Sequence, residues 1–353
     1  MAPKTFLTGV TGYIGGDVLH TLYNAHPDWT YTLLVRNPDR GLAVAAKYPT
    51  AKLVYGDLSA TDVLSSAAAD ADVVVHAAHS DHQEAARAII AGLAAGHRSP
   101  DKPGFLIFVS GTGMLQYHDI KAKRYGQPPA EGDTYDDLDG VDKILALPED
   151  AIHRDVEMIV QAANSDRVKT AVVAPPLIYG PGRGPVNDRS MQVYDLAKYT
   201  LTHGYAPVVG TGKTEWHEVH VHDLSNLFLS LVEIAALDPD RAARDPELFG
   251  ERAYFFAENG PLVWGDIARL VAKEAKKQGL IEEDKVVTTD FEAVVKEGPV
   301  NASWALNSKS KARRARKLLS WKPTRRGLVD EIPDIVAGEA KRLGITARYP
   351  IEK

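Results

Sequence analysis

Three glycines, Gly9, Gly12 and Gly15, stand in the run FLTGVTGYIGG (Phe6–Gly16), spaced G-x-x-G-x-x-G. A β-type stretch, Lys4–Thr8, enters the run and a helix-like stretch, Asp17–Tyr23, leaves it. Few features restrict a fold so strongly. The first glycine permits a tight turn, the second lets backbone approach phosphates, and the third lets the helix pack close to the strand. The helix N-terminal N–H groups and the positive end of its dipole then face an anion. The spacing predicts a site for a dinucleotide pyrophosphate, with Tyr13 and Ile14 of the loop beside the phosphates or the adjoining ribose.

Composition narrows the rest. A chain of 353 residues is long enough for one large or two medium domains with a substantial core. The net charge of −6 argues against a nucleic-acid footprint over the whole chain. With no cysteine, disulfides, thiol catalysis and cysteine-ligated metals are excluded. The N-terminal apolar run breaks at Thr8–Gly9, so it lacks a signal-peptide core. No stretch approaches the ~20 apolar residues of a membrane helix. The expectation is a cytoplasmic protein that acts on a small molecule, binds neither membrane nor nucleic acid, and is a monomer or homodimer.

The first half alternates strand and helix signals. Strands are predicted at Lys4–Thr8, Tyr31–Val35, Lys52–Tyr55, Val73–His76, Phe105–Ser110 and Lys169–Val173. Helices are predicted at Gly16–Asn24, Ala60–Ala69, Gln83–Ala95 and Asp150–Asn164. Continuous apolar runs such as VVVHAA and FLIFVS suit strands buried on both faces, hence an α/β, doubly wound Rossmann parallel sheet. After Pro175-Pro176 and the breaker-rich Gly180–Pro185, the pattern changes. Helices are expected at Ser190–Leu201, Asp223–Leu237, Trp264–Gln278 and Asp330–Leu343, and strands at Glu215–Val221 and Ala253–Ala257. The expected division is residues 1–180, with about 215–257 returning to the sheet, as the dinucleotide domain. Residues 181–214 and 258–353 form a smaller C-terminal substrate lobe.

Beyond the glycine loop, the second strand runs into Arg36-Asn37-Pro38-Asp39-Arg40. Dinucleotide folds place an acidic residue about 20 residues after the glycines to hold the ribose 2′-OH of NAD. Here Arg36 takes that place, and an arginine suits a 2′-phosphate. With Arg40 as a second contact, NADP(H) is preferred over NAD(H). Gly56-Asp57-Leu58 follows the third strand, where Asp57 can accept from the adenine amino group and Leu58 cover the ring. His76-Ala77-Ala78 ends the fourth strand, with small residues under the cofactor ribose.

The set GVTGYIGG (Gly9–Gly16), GDL (Gly56–Leu58), VVHAA (Val74–Ala78), FVSGT (Phe108–Thr112), PPLIYGPG (Pro175–Gly182) and VHVHDL (Val219–Leu224) resembles the extended short-chain dehydrogenase/reductase superfamily, the NAD(P)-dependent epimerase/dehydratase type. The resemblance covers nearly the whole chain. It implies a Rossmann domain with a small C-terminal substrate lobe, and cofactor contacts at Pro176 and Ile178. It also implies hydride chemistry supported by a Ser or Thr after the fifth strand and a Tyr-x-x-x-Lys pair on the next helix. Ser110 and Thr112 supply the hydroxyls, Thr112 also facing substrate. Aligned on Pro175-Pro176, however, Glu149 falls at the Tyr position and His153 at the Lys position. The family's pair is replaced.

His153 is the expected substitute, lining the cofactor pocket or moving a proton, with Glu149 one turn earlier to orient it. A literal Tyr117-His118-Asp119-Ile120-Lys121 lies close after Ser110. It is a second candidate acid/base pair, set in a long polar stretch from which Tyr117, Tyr125 or Tyr135 can swing in. Tyr179, in IYGPG, is expected at the substrate cleft. His217, His220 and His222 share a strand-to-helix junction at which Asp223 is expected to cap the helix, so no metal site is assigned. His79-Ser80-Asp81-His82 reads as a structural loop beside the cofactor. The basic Lys309–Arg326 reads as a solvated helix face or else an anion contact. Three functions fit: an NADP(H)-dependent oxidoreductase of a small carbonyl or alcohol, a non-redox isomerase or lyase, and a non-enzymatic NADP(H) sensor.

Overall fold

The apolar runs of the first half fold as strands covered on both faces, each closed off by a polar turn and a helix. The chain was analysed as a computed structural model that describes residues 2–97 and 102–351. Its first part runs β1 (Lys4–Thr8), α1 (Tyr13–Ala25), β2 (Thr30–Val35), α2 (Pro38–Lys47), β3 (Lys52–Tyr55), α3 (Thr61–Ala69), β4 (Val73–His76), α4 (Gln83–Gly96) and β5 (Gly104–Val109). A 3₁₀ turn, Thr112–Gln116, leads to α5 (Tyr117–Ala122), β6 (Thr134–Asp136), α6 (Val141–Leu145), α7 (Arg154–Ala162), β7 (Val168–Ala174) and β8 (Leu177–Tyr179). The remainder is α8 (Gln192–His203), β9 (Ala206–Val209), β10 (Glu215–His220), α9 (Val221–Leu237), α10 (Pro239–Arg244), β11 (Tyr254–Phe256), β12 (Pro261–Val263), α11 (Trp264–Lys277), β13 (Val286–Thr289) and α12 (Phe291–Glu297). A second 3₁₀ turn, Pro299–Ala305, precedes β14 (Lys309–Lys311), α13 (Arg313–Leu318) and α14 (Leu328–Leu343).

Seven strands form one parallel sheet in the order β11-β7-β5-β4-β1-β2-β3. The strand order reverses between β1 and β4, and α/β sheets bind ligands at the C-terminal edge of such a switch point. Helices cover both faces, with α1 packed on α9 and α3 on α4. Val73–His76 and Gly104–Val109 are buried throughout, as a doubly covered sheet requires.

A second core gathers Tyr179, Trp216, Trp264, Trp304 and the inner faces of α8, α11 and α14. Three departures from the sequence reading concern this half. β10 pairs with β8 and β12 in a separate three-stranded sheet, so of the 215–257 stretch it is β11 that joins the main sheet. Tyr117–Leu147 is more ordered than its polarity suggests. β6 pairs with β14, Tyr135 is buried, and Tyr125 stacks on Phe291 at 3.8 Å, and neither tyrosine lines the cavity that holds His153. Lys309–Arg326 divides: Lys311, Arg313, Lys317, Lys322, Arg325 and Arg326 are exposed, as a solvated face requires, whereas Arg314 and Arg316 turn inward as a clamp. Arg314 is fully buried and donates to the Asp137 and Glu247 carbonyls, while Arg316 pairs with Glu258. Ala312, Ala315 and Trp321 thereby join the core of the main sheet rather than the second core.

Asp17, on the first turns of α1, ties the halves together. It is wholly buried and accepts from the Arg183 backbone and guanidinium at 2.6–3.0 Å and from Ser225 at 2.7 Å. Burial pushes its pKa up, but the Arg183 and Ser225 hydrogen bonds outweigh that and hold the carboxyl below its usual range. A depressed folded-state pKa stabilises the protein above the unfolded carboxylate value, and that stabilisation is lost as pH falls through the folded value. Asp17→Asn is therefore expected to lower stability by about 2–3 kcal/mol at pH 7. In urea unfolding, the gap from the parent protein should narrow below about pH 4.

Candidate functional site

Gly9 turns the chain with φ of +74°, and a Cβ there would stand 2.2 Å from the Ala77 carbonyl oxygen. A Cβ on Gly15 would stand 2.5 Å from the Gly9 oxygen. Only glycine lets β1, the end of β4 and α1 approach so closely. Gly12 is the N-cap of α1, has no side-chain cap, and is followed by a first turn without acidic residues. The leading N–H groups of a helix have no intrahelical acceptor, so this end is electropositive and open to an anion.

Two cavities flank the turn. One, of about 510 Å³, is lined by Gly9, Arg36, Arg40, Asp57, Leu58 and Ala78, with His79, Asp81 and His82 on its rim. Arg36 and Arg40 are both exposed, and Asn37 between them caps α2. The other, of about 490 Å³, is lined by Tyr13, Ile14, Ala77, Ser110, Thr112 and His153, and further out by Pro176 and Ile178. The two volumes together, joined by a glycine turn at a helix N-terminus, fit an extended dinucleotide.

Other predicted residues lie elsewhere. His76 does not face the cofactor bed. It is buried beneath it, its Nδ1 2.9 Å from the Thr8 hydroxyl and its ring stacked on Phe108. Burial lowers its pKa to about 4, so the ring is neutral packing. Tyr179 is fully buried in the second core and donates to the Arg326 carbonyl at 2.7 Å, away from the cleft lining. Tyr117 also lies outside the cleft lining, packed against the main core. Lys121 of the literal Tyr-x-x-x-Lys is held by Asp150 at 2.7 Å. His220, not Asp223, caps α9 by accepting from the His222 amide. Asp223 instead accepts from the Thr324 and Arg325 amides. Among the described residues, no group of three or more His, Cys, Asp or Glu is arranged to hold a metal.

The helix after β5 differs most. Residues 148–153 form two successive turns, Ala151 N–H to Pro148 and Arg154 N–H to Ala151, and α7 starts only at Arg154. The buried Arg154 guanidinium donates to the Leu145 carbonyl and to Glu157, which fixes the helix start. Glu149 is therefore exposed on a turn and does not share a helical face with His153. His153 occupies the N-cap with φ of +71°, a left-handed conformation that costs about 1–2 kcal/mol in a residue with a Cβ. Strain of this kind gathers at functional sites.

Asp81 is the partner that sequence reading missed. Its Oδ1 lies 2.5 Å from His153 Nδ1, with the Ser80 hydroxyl 3.2 Å from the same nitrogen. The hydrogen bond from His153 holds the Asp81 carboxyl below its usual pKa, so Asp81 is ionised and Nδ1 carries the proton. Nε2 is left without a proton. It faces the turn after β5, where a Cβ on Gly111 or Gly113 would approach it to 3.3 Å. Because Asp81 lines one cavity and His153 the other, the pair stands where they meet.

The two hydroxyls after β5 differ. Ser110 donates to the buried Glu157 at 2.5 Å, and Glu157 also accepts from Tyr254 at 2.8 Å and Arg154 at 2.8 Å. Ser110 thus has no proton left for the cleft. The Thr112 hydroxyl is buried without a protein partner.

Sequence and structure comparisons agree with this geometry. An NAD(P)H-binding family matches residues 9–116. The chain is 37% identical over 352 residues to the oxidase ucsJ of an Acremonium species, covering 98% of this chain and 100% of that one. Among solved structures it resembles gox2253, with a TM-score of 0.64 at 18% identity over 97% of this chain and 99% of that one. It also resembles the NAD-bound dTDP-glucose 4,6-dehydratase DesIV of Streptomyces venezuelae, with a TM-score of 0.64 at 14% identity over 97% and 98%. The chain belongs to the same family as the Acremonium oxidase, carries an NAD(P)H-binding region over residues 9–116, and has the fold of the epimerase/dehydratase-like short-chain dehydrogenase/reductase structures.

Proposed function

We propose that this protein is an NADP(H)-dependent oxidoreductase of a small carbonyl or alcohol, in which His153, oriented by Asp81, serves where the family uses a tyrosine and a lysine. The contact of 2.5 Å between His153 Nδ1 and Asp81 carries the reading, since it fixes the tautomer and leaves Nε2 toward the cleft. The relative named an oxidase supports redox chemistry. The cofactor, when bound, supplies or receives the hydride.

The chain's own residues do the rest. The glycine turn and the N-terminus of α1 hold the pyrophosphate. Arg36 and Arg40 receive a 2′-phosphate through charge-assisted hydrogen bonds, and Asp57 and Leu58 flank the adenine. His153 Nε2 gives a proton to the substrate oxygen as a carbonyl is reduced and takes one as an alcohol is oxidised. Asp81 stabilises the ring while it is charged. Thr112 remains the hydroxyl beside the reacting oxygen, since the proton of Ser110 is engaged by Glu157.

The cofactor reading predicts that Arg36→Asp weakens NADPH binding about 10- to 100-fold, the loss of one or two hydrogen bonds to a charged group, while NADH binding holds or improves. Fluorescence titration with both dinucleotides checks this, and an unchanged NADPH affinity refutes the preference. The catalytic reading predicts that His153→Ala lowers kcat about 10²- to 10⁴-fold. Asp81→Asn should lower it less, with the pH dependence of kcat altered in both. NADPH oxidation at about 340 nm over a carbonyl panel reports the rate. Tight dinucleotide binding without turnover of any carbonyl would favour a sensor instead.

A further inference from the structure

The cavity that holds His153 has apolar walls, and its one permanent cation is consumed inside the protein. We propose, resting on the role given to His153 above, that the substrate taken there is an uncharged, largely apolar carbonyl compound or its alcohol. Sugar nucleotides and carboxylates are refused.

The walls come from Ile152, Pro176, Met191, Trp216, Pro299 and Val300. Ile152 and Met191 are 41% and 59% exposed, so large apolar side chains stand open to water at this cavity. Covering them with an apolar ligand is favourable, whereas a hydrated sugar or phosphate gains nothing there. Trp216 presents only its ring, because its indole N–H donates to the Leu306 carbonyl at 2.6 Å.

Three hydroxyls along the wall are likewise occupied, while the Thr112 hydroxyl and the amides of Gln116, Asn187 and Gln192 add polar but no cationic groups. The Tyr13 hydroxyl donates to the Gly180 carbonyl at 2.6 Å, Ser190 to the Ile178 carbonyl at 2.6 Å, and Ser303 to the Val300 carbonyl at 2.8 Å. None of these protons is free for the hydroxyls of a sugar.

Charge decides the matter. Of the lining side chains, only Arg189 and His153 can be cationic. Arg189 Nε and Nη2 grip Glu339 at 2.8 and 3.0 Å, Nη2 also donates to Asp195 at 2.8 Å, and Nη1 donates to the Ser190 carbonyl at 3.0 Å. Glu339 and Asp195 thus compensate the Arg189 guanidinium, with Glu339 shared with Arg342 at 3.7 Å. A diphosphate or carboxylate entering here loses its hydration and meets no free guanidinium or ammonium. A neutral carbonyl needs one proton donor, and His153 provides it.

The test uses the full chain saturated with NADPH and three probes: acetophenone, its para-carboxylate and UDP-glucose. Binding is read by ligand-observed NMR and turnover separately by NADPH oxidation. Acetophenone is expected to bind at least tenfold more tightly than its carboxylate, and UDP-glucose not to bind. Met191→Lys, which adds a cation to the cavity wall, should shrink the ketone-to-carboxylate ratio several-fold. Equal or tighter binding of either anion, or no binding of the ketone, overturns the proposal. Selective ketone binding upholds it even where neither acetophenone nor any carbonyl of the panel is turned over, a result that refutes the oxidoreductase reading, so the two can fail independently.

Discussion

The close passage of the Gly9 turn over the end of β4 is the contact on which the rest of the site depends. With 2.2 Å between a notional Gly9 Cβ and the Ala77 oxygen, no other residue fits without moving β1 away from β4. That packing sets α1 on the sheet with its N-terminus at the switch point. It also sets Ala77 in the lining of one cavity and Ala78 in the lining of the other. The position of Asp17 follows, because α1 must sit where its second turn can reach Arg183 in the loop after β8.

The segment that carries His153 is built from turns. Where the resemblance implies a continuous helix with a tyrosine and a lysine four residues apart, this chain has two tight turns and a helix that begins at Arg154. The imidazole is aimed by a left-handed backbone and by a carboxylate from another loop, rather than by helical periodicity. Glycines at 111 and 113 leave room for the ring. Glu157, one helical turn further on, is fully buried and draws the Ser110 proton inward. The chemistry on offer is that of an oriented histidine beside a largely apolar cleft.

Much of this was legible from residues alone. β1, β3 and β4 fall on their predicted bounds because short β-type runs between breakers leave little choice of register. Gly9, Arg36, Asp57 and Ala78 come together around one cavity because each closes a strand at the same edge of a parallel sheet. The failures share a cause, which is contact across the chain. Tyr117 and Lys121 match a motif in spacing, yet Asp150 holds the lysine outside the cleft lining. Tyr179 sits next to breaker residues that suggest a cleft, but its hydroxyl is claimed by the Arg326 carbonyl, 147 residues away. Arg314 and Arg316 look as solvated as their neighbours until Asp137, Glu247 and Glu258 are brought against them. Asp81 was readable only as a polar residue in a loop, since its partner is 72 residues distant.

The sequence by itself determined the doubly wound sheet, the glycine turn and the arginine after β2, because these rest on local sterics and on strand periodicity, which act within a few residues. It also put Glu149 and His153 where the resemblance implies a tyrosine and a lysine. Only the tertiary structure decided what surrounds His153. The Asp81–His153 pair, the diversion of Ser110 to Glu157 and the neutralised Arg189 are each made by side chains from separate elements. Hydrogen bonds between such groups have no signature in spacing, and they form only once the packed sheet has fixed how far apart the elements lie.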